Sequence, residues 1–362
     1  MVQKFPEGLL GQPLEDRHRY FKDYTVSHPS FQKAFNALMD RIYNGSKNSI
    51  ILTFGPAGAG KSKLINKVQE RLIKDNFQKY QIERGLIPIL AIEAVPPDQG
   101  SFDWKDFYYR CLVQADEILI DYKMDIAERD GKAALRRSLE NVLKFRKPLA
   151  FFIDEAQHIT MTTNSRNLRN QINILKSLAN LTNVPIVLSG NYDLLTYRDL
   201  NGQTIRRGKD IHVRRYDAKN RDDLESFINV LLAFQQHLPL PEEPDLINNW
   251  DYFYSRSIGC IGILKDWLYL TYQVVTNNDA NIRTLEIDDF REHELPPARS
   301  RKLLKETTQG ETNYKKALEQ EEQEQLYMEL GLIENTSDIE NNASEPKESK
   351  GNRKPGQRKP HR

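Results

Sequence analysis

Residues 48–67 constrain the fold of this chain more than any other stretch, because they join an apolar run, a glycine-rich loop and a helical pattern. The apolar run, Ser49–Phe54, is typical of a buried strand. The loop fits G-x-x-x-x-G-K-[ST], and apolar residues follow it at helical spacing. Its eight residues are Gly55, Pro56, Ala57, Gly58, Ala59, Gly60, Lys61 and Ser62. A strand, this loop and a helix in that order predict a phosphate-binding loop.

The residue types of this loop predict ATP and Mg²⁺ as its ligands. Glycines allow backbone N–H groups to turn inward around a β-phosphate, and the helix N-terminus adds partial positive charge. We expect Lys61 to reach the β- and γ-phosphates and Ser62 to ligate Mg²⁺. A chance match is the alternative, and the flanking strand and helix argue against it.

A second motif, which is acidic, lies downstream of the loop. It follows the unbroken apolar run Leu149–Ile153, which predicts a strand buried on both faces. Asp154 and Glu155 follow it directly. We expect Asp154 to hold Mg²⁺ through water and Glu155 to act as the general base that polarises the attacking water. An acidic pair on the surface is the alternative. A further strand, Val184–Asn191, ends in polar residues.

At the end of that strand, Asn191, or alternatively Ser189, is predicted to sense the γ-phosphate. A strand-end asparagine in an ordinary turn is the other interpretation. Arg206 or Arg207 is predicted to reach the γ-phosphate of a neighbouring copy, although a second pair, Arg214 and Arg215, follows closely. A charged edge strand explains the same arginines without a role in catalysis.

The whole pattern predicts an α/β fold: an AAA+ P-loop NTPase with a parallel sheet core, a small C-terminal helical lid and a disordered tail. The predicted divisions are an extension over 1–27, which looks irregular, a core over 28–220, a lid over 221–296 and a charged tail over 297–362. The start of the core, near residues 31–42, is a helix either beside the nucleotide base or simply packed. In the lid, Lys265 is expected to touch the phosphates or to lie on the surface.

Four motifs together resemble one family: GPAGAGKS, IDEAQH, the strand end SGN and the lid segment SIGCIGILKDWL. They resemble the AAA+ regulators of Tn7-like and Mu-like transposons, the TnsC and TniB group, over about residues 25–295. The resemblance implies an ATPase that assembles as a ring or filament of identical copies on double-stranded DNA. It also implies contact with transposase subunits and with a target-selection factor, either a DNA-binding protein or an RNA-guided complex.

DNA contact would go to phosphates, and Lys105, Arg137 and Lys144 are the candidate residues. A solvated basic helix face is the alternative for the last two. Two other functions remain open: a replication initiator or helicase loader, and a nucleotide-gated DNA scaffold without catalysis. Intact Glu155 argues against the scaffold.

Composition adds few constraints. Lys and Arg number 52 and Asp and Glu number 51, so any DNA-binding surface must be local. The two cysteines form no metal or disulfide pattern, and no apolar run approaches membrane length, which predicts a cytoplasmic protein with no membrane contact. The tail carries an acidic block followed by a basic end, with one charged helix expected over Glu311–Leu332.

Overall fold

The computed structural model describes residues 4–97, 100–116, 120–160, 165–199 and 210–331. Two compact units divide the chain, Met1–Gly310 and Glu311–Arg362. The first unit contains the predicted α/β core and helical lid. The second begins inside a long helix.

The core is built on a sheet of five parallel strands in the order β2-β3-β4-β1-β5. Continuous apolar runs form the four longer strands, because helices cover both faces of a parallel sheet. In register, Thr53 of β1 lies opposite Ser189 of β4. The predicted parallel sheet is therefore confirmed, with β1 between β4 and β5. The strands are β1 (Ile50–Phe54), β2 (Leu90–Glu93), β3 (Phe151–Asp154), β4 (Ile186–Gly190) and β5 (Ile211–His212).

Helices connect the strands and cover the sheet. The basic residues Arg137 and Lys144 lie on one long helix, and a helix precedes the first strand as expected. The first nine helices are α1 (Leu14–Asp23), α2 (Pro29–Asn44), α3 (Lys61–Asp75), α4 (Phe77–Ile82), α5 (Trp104–Gln114), α6 (Ile120–Arg146), α7 (Gln157–Thr160), α8 (Ser165–Thr182) and α9 (Leu195–Asp199).

The lid is all-helical, as predicted, and its interior is rich in aromatic side chains. Asn220 caps its first helix by accepting the backbone N–H groups of Asp222 and Asp223. The lid helices are α10 (Arg221–His237), α11 (Trp250–Ser257), α12 (Ile261–Asn278) and α13 (Ile287–Arg291).

The prediction that residues 1–27 are irregular is wrong for their central part, which forms α1. Pro13 precedes the helix and Phe21, near its C-terminal end, is fully buried in the aromatic core of the lid. Arg17 also donates a hydrogen bond to the carbonyl of Pro239, at 2.7 Å. Nearby prolines and glycines predict irregular structure for this segment. It forms a helix because it is stabilised by packing on the lid.

The expected charged helix is present and starts earlier than predicted, since α14 spans Pro297–Glu329. Its residues up to Gly310 belong to the first unit. In the second unit, the described part of the chain continues this helix and exposes Leu326 and Leu330. The predicted disorder of residues 332–362 lies outside the described residues. Among the described helices, none has the length and apolarity needed to cross a membrane.

Candidate nucleotide-binding site

The phosphate-binding loop leaves β1 at Gly55 and enters α3 at Lys61. Gly58 and Gly60 have φ angles of 72° and 92°, a left-handed backbone that glycine adopts without a steric penalty. The amino group of Lys61 donates to the carbonyls of Gly55, at 3.0 Å, and Pro56, at 2.8 Å. The cation is therefore held directly over the loop, beside the place where the pattern puts the phosphates.

The electrostatics around Lys61 link the loop to the acidic motif. Burial lowers the pKa of the Lys61 amino group, while the negative charges of Glu155 and Asp154 act in the opposite direction. Lys61 belongs to the segment after β1, and the two carboxylates lie at the end of β3, which β4 separates from β1 in the sheet. Parallel strands bring their carboxyl ends to one edge, which is why residues far apart in sequence meet here.

Asp154 ends β3, and Glu155 lies in a strained turn immediately after it. Glu155 has φ 49°, a left-handed conformation that is uncommon for a residue with a side chain. Its N–H donates to Asp154 Oδ1 at 3.0 Å, and the N–H of Ala156 donates to the carbonyl of Ser189 at 2.8 Å. The turn is thereby fastened to the neighbouring strand and presents the Glu155 carboxylate at the sheet edge.

The oxygen donors at this edge fit a magnesium ion. Ser62 is exposed as the second residue of α3, and the carboxylate of Asp154 is partly exposed. No cluster of three or more His, Cys, Asp or Glu side chains suited to a metal occurs among the described residues. Mg²⁺ prefers one or two protein oxygens together with water and phosphate oxygens. Ser62 and Asp154 would hold it in that manner.

Asn191 lies at the end of β4, as predicted, in a turn. Its side-chain oxygen accepts the N–H of Asp193 at 2.9 Å and so caps the following 3₁₀ turn, Tyr192–Leu194. Ser189 is buried within the sheet. Asn191 is therefore the better placed of the two candidates, and its contact with a γ-phosphate stays a prediction.

The lid touches the phosphate-binding loop directly, a contact that sequence reasoning missed. The N–H of Gly262, in the first turn of α12, donates to the carbonyl of Gly58 at 2.7 Å. A methyl group at Gly58 would overlap the side chain of Ile263. The paired glycines in the lid segment were the available signal, since glycine permits this close approach of two backbones.

Lys265 is half-buried, with its amino group on an aromatic ring of α1, and its contact with the phosphates of a bound nucleotide stays a prediction. Its amino group lies 3.2 Å from the centroid of the Phe21 ring and donates to the Phe21 carbonyl. Burial lowers the pKa of Lys265 to about 7, and the positive charge of Lys63 adds to this lowering. Because α1 packs on the lid, the lysine reaches an aromatic face.

The predicted arginines fall in two different parts of the chain. Arg206 and Arg207 lie outside the described residues. Arg214 forms a two-pronged ion pair with Asp223 in α10, with one contact of 2.7 Å. This pair attaches the segment after β5 to the lid, which gives Arg214 a structural role.

The three DNA-contact candidates occupy two helices between β2 and β3. Lys105 is half-buried in the first turn of α5, whose N-terminus is capped by Asp103. Arg137 and Lys144 are exposed on α6. Their contact with DNA stays a prediction.

Comparison with known proteins identifies the domain type. Residues 43–197 match the family model described as AAA domain. The chain therefore contains an AAA-type P-loop domain. We found no match by sequence among curated proteins.

Several solved structures are similar to this chain at low sequence identity. The Aeropyrum pernix ORC2 protein, solved as ADPNP–ADP complexes, has a TM-score of 0.51 and 12% identity, covering 76% of this chain and 71% of that one. The Walker-type ATPase PABY2304 of Pyrococcus abyssi has a TM-score of 0.43 and 14% identity, with coverages of 79% and 75%. Domain III of the Thermotoga maritima replication initiation protein DnaA has a TM-score of 0.41 and 14% identity, with coverages of 79% and 95%. The likeness to ORC2 shows an AAA+ fold.

Proposed function

We propose that this AAA+ domain binds and hydrolyses ATP with Mg²⁺. The observation that carries the proposal is the meeting of Lys61, Asp154 and Glu155 at one sheet edge, around a loop with a left-handed glycine backbone. A cation, a hard oxygen ligand and a general base are the groups that phosphoryl transfer to water requires.

Each residue has a distinct task in this proposal. The loop amides and Lys61 bind the β- and γ-phosphates and neutralise charge that builds up in the transition state. Glu155 orients the attacking water and accepts its proton, and Asn191 holds the γ-phosphate side of the site. Mg²⁺, held by Ser62 and Asp154, supplies further charge neutralisation at the phosphate oxygens. Arg206 or Arg207 of a neighbouring copy completes the site.

We further propose that ATP drives assembly of the protein as a ring or filament on duplex DNA, where it connects a target-selection factor to transposase subunits. The four motifs that resemble transposition regulators support this reading. Exposed Arg137 and Lys144 supply cations for phosphate contact. Hydrolysis then releases the assembly.

A replication initiator or helicase loader is the second candidate, because the ORC2 structure shares the fold and such proteins are also AAA+ chains. A gene for a transposase beside the gene for this protein would favour transposition. Stimulation of ATP turnover by that transposase would do the same at the biochemical level. A helicase that is loaded onto DNA by the protein would favour the alternative.

The direct test of assembly is electron microscopy of the protein with duplex DNA and a non-hydrolysable ATP analogue. We expect Lys61→Ala to abolish assembly, since its cation binds the phosphates that join neighbouring copies. Lys74→Ala, an exposed lysine at the other end of the same helix, is the matched control and should assemble normally. Assembly of Lys61→Ala without nucleotide would contradict the proposal.

The DNA face has its own test in the salt dependence of binding. Replacing Arg137 and Lys144 together by alanine should reduce the slope of log affinity against log salt by about 0.9 for each phosphate that the protein no longer neutralises. The same measurement on Lys105→Ala assigns or dismisses the third candidate. An unchanged slope in the double variant would place the DNA elsewhere.

A further inference from the structure

Gln157 lies in the acidic motif but has no part in the proposed chemistry so far. It is the first residue of α7, and only 8% of its surface is exposed. Buried glutamine is uncommon unless both ends of its amide are hydrogen-bonded. Both ends are bonded here. The amide nitrogen donates to Glu155 Oε2, and the amide oxygen accepts the backbone N–H of Asn191 at 3.3 Å.

The surrounding backbone is shaped to admit this side chain. A methyl group at Gly190 would overlap the amide oxygen of Gln157. Glycine at the end of β4 thus leaves the space in which the glutamine crosses from the acidic turn to the neighbouring strand. The two elements are also joined through the bond from Ala156 N–H to the Ser189 carbonyl.

We propose that Gln157 is a positioning residue that orients the Glu155 carboxylate and ties it to the turn at Asn191. One carboxylate oxygen is held by the amide, which leaves the other to face the attacking water. A neutral amide suits this task, because it donates to the carboxylate at one end and accepts a backbone N–H at the other. Any movement of the β4 end at Asn191 is transmitted to the general base. This inference rests on the proposed ATP hydrolysis.

Two substitutions separate the two ends of the amide. Gln157→Leu removes both hydrogen bonds. Gln157→Glu keeps an acceptor for the Asn191 N–H but sets a second carboxylate against Glu155, and like charges repel. We expect kcat for ATP hydrolysis to fall about 10- to 100-fold in both variants, the range for removal of a hydrogen bond to a charged group. The affinity for ATP should change less than about threefold, because both hydrogen bonds of the Gln157 amide go to groups outside the phosphate-binding loop.

Hydrogen exchange on the nucleotide-free protein provides a readout that does not depend on activity. The amide of Asn191 should exchange faster in Gln157→Leu and remain protected in Gln157→Glu. Gly190→Ala, which displaces the side chain of Gln157 without replacing it, should reproduce the fall in kcat.

The lid contains a matched control in Gln235. This buried amide also bridges a carboxylate and a backbone N–H: it donates to Glu243 at 3.1 Å and accepts from Leu246 at 3.1 Å. Gln235→Leu should speed exchange at Leu246 and lower stability, but leave kcat at the wild-type value. If removal of any buried amide lowered activity, kcat would instead fall in both Gln157→Leu and Gln235→Leu.

The possible outcomes distinguish a failure of the positioning role of Gln157 from a failure of the proposed ATP hydrolysis. If Gln157→Leu and Gln157→Glu turn over ATP at the wild-type rate while Glu155→Gln does not, the positioning role is wrong and the proposed hydrolysis stands. If Glu155→Gln turns over normally, or the wild-type protein does not hydrolyse ATP, both are wrong. A fall in kcat with preserved ATP affinity, and with the predicted pattern of exchange at Asn191, supports the inference.

Discussion

One side of the core sheet and the helical lid bury different kinds of side chain, whereas the other side of the sheet also buries aromatic rings, among them Trp104, Phe107 and Phe151. One described cluster of the core is almost wholly aliphatic, with Phe152 as its single fully packed aromatic ring. Half of the buried members of the lid cluster are aromatic, and α1 contributes Phe21 to it. In the core, the proposed function depends on backbone geometry at strand ends. In the lid, an aromatic ring from a distant part of the chain contacts one cation, Lys265.

The two regions also differ in how they hold a partly buried lysine. Lys61 is held by loop carbonyls beside two carboxylates, where a phosphate would add to its stabilisation. Lys265 is held on the Phe21 ring, with Phe234 also nearby at 5.1 Å from its amino group. The first lysine is available for a ligand, and the second fastens α1 to the lid.

The largest effect on stability should come from removing the ring that joins α1 to the lid. Phe21 is fully buried, with its ring 5.9 Å from that of Tyr272 and 6.3 Å from that of Phe234 in edge-on contacts. We expect Phe21→Ala to lower the free energy of unfolding by about 3–5 kcal/mol, because the packing of the ring is removed and a cavity remains. Chemical denaturation measures this. A decrease below about 1 kcal/mol would mean that α1 is not part of the folded lid.

A medium effect on stability is expected for a substitution at Gly58, where the lid contacts the core. An alanine there and one at Gly60 both adopt a left-handed backbone, which costs about 1–2 kcal/mol. Only at Gly58 would the added methyl also overlap Ile263, whereas the space at Gly60 is open. Gly58→Ala should therefore destabilise the nucleotide-free protein by about 1–3 kcal/mol more than Gly60→Ala.

The control for this pair is the partner side chain. Ile263→Ala should recover part of the stability that Gly58→Ala removes and none of that removed by Gly60→Ala. Equal effects of the two glycine substitutions in thermal unfolding would contradict this prediction, because they would show that the lid is not packed tightly against the loop.

The smallest effect should be a pH dependence of stability that comes from Lys265 in the lid. Because burial lowers the pKa of Lys265 to about 7, the unfolded chain binds one more proton than the folded protein between pH 7 and about 10. The contribution of Lys265 to stability is therefore fully present at high pH and is lost as the pH falls through 7. The free energy of unfolding of the wild type, relative to Lys265→Met, should rise by at least about 1 kcal/mol from pH 7 to pH 9.

Lys63→Met serves as the control for a general loss of positive charge in this region. It should leave most of the pH dependence in place. A difference between wild type and Lys265→Met that stays flat across this range would show that the Lys265 amino group is solvated.

The core was predictable from sequence because its fold and its proposed function depend on local backbone patterns. The loop from Gly55 to Ser62 and the acidic pair at Asp154 and Glu155 each follow a strand, and the parallel sheet brings such strand ends together. The apolar runs predict the longer strands to within a few residues of their observed bounds. Glu155 in a left-handed turn could not be foreseen, since that strain depends on the bond from Ala156 to Ser189.

The lid was predictable as a set of helices but not in its contacts. Lys265 was expected at the phosphates or on the surface, and its partner in the structure, Phe21, lies 244 positions earlier in the chain. No local pattern links them. Likewise, Gln157 is part of the acidic motif in the sequence, but its hydrogen bond with Asn191 forms only when β3 and β4 are paired.

The most direct test of the central claim is ATP turnover and ATP binding measured on the same preparations of wild type and Glu155→Gln. If the carboxyl edge of the sheet is an ATPase site with Glu155 as its base, the variant should bind ATP with nearly unchanged affinity. Its turnover should fall by about 10²–10⁴-fold, the contribution typical of a general base. Turnover by Glu155→Gln at the wild-type rate would contradict the account.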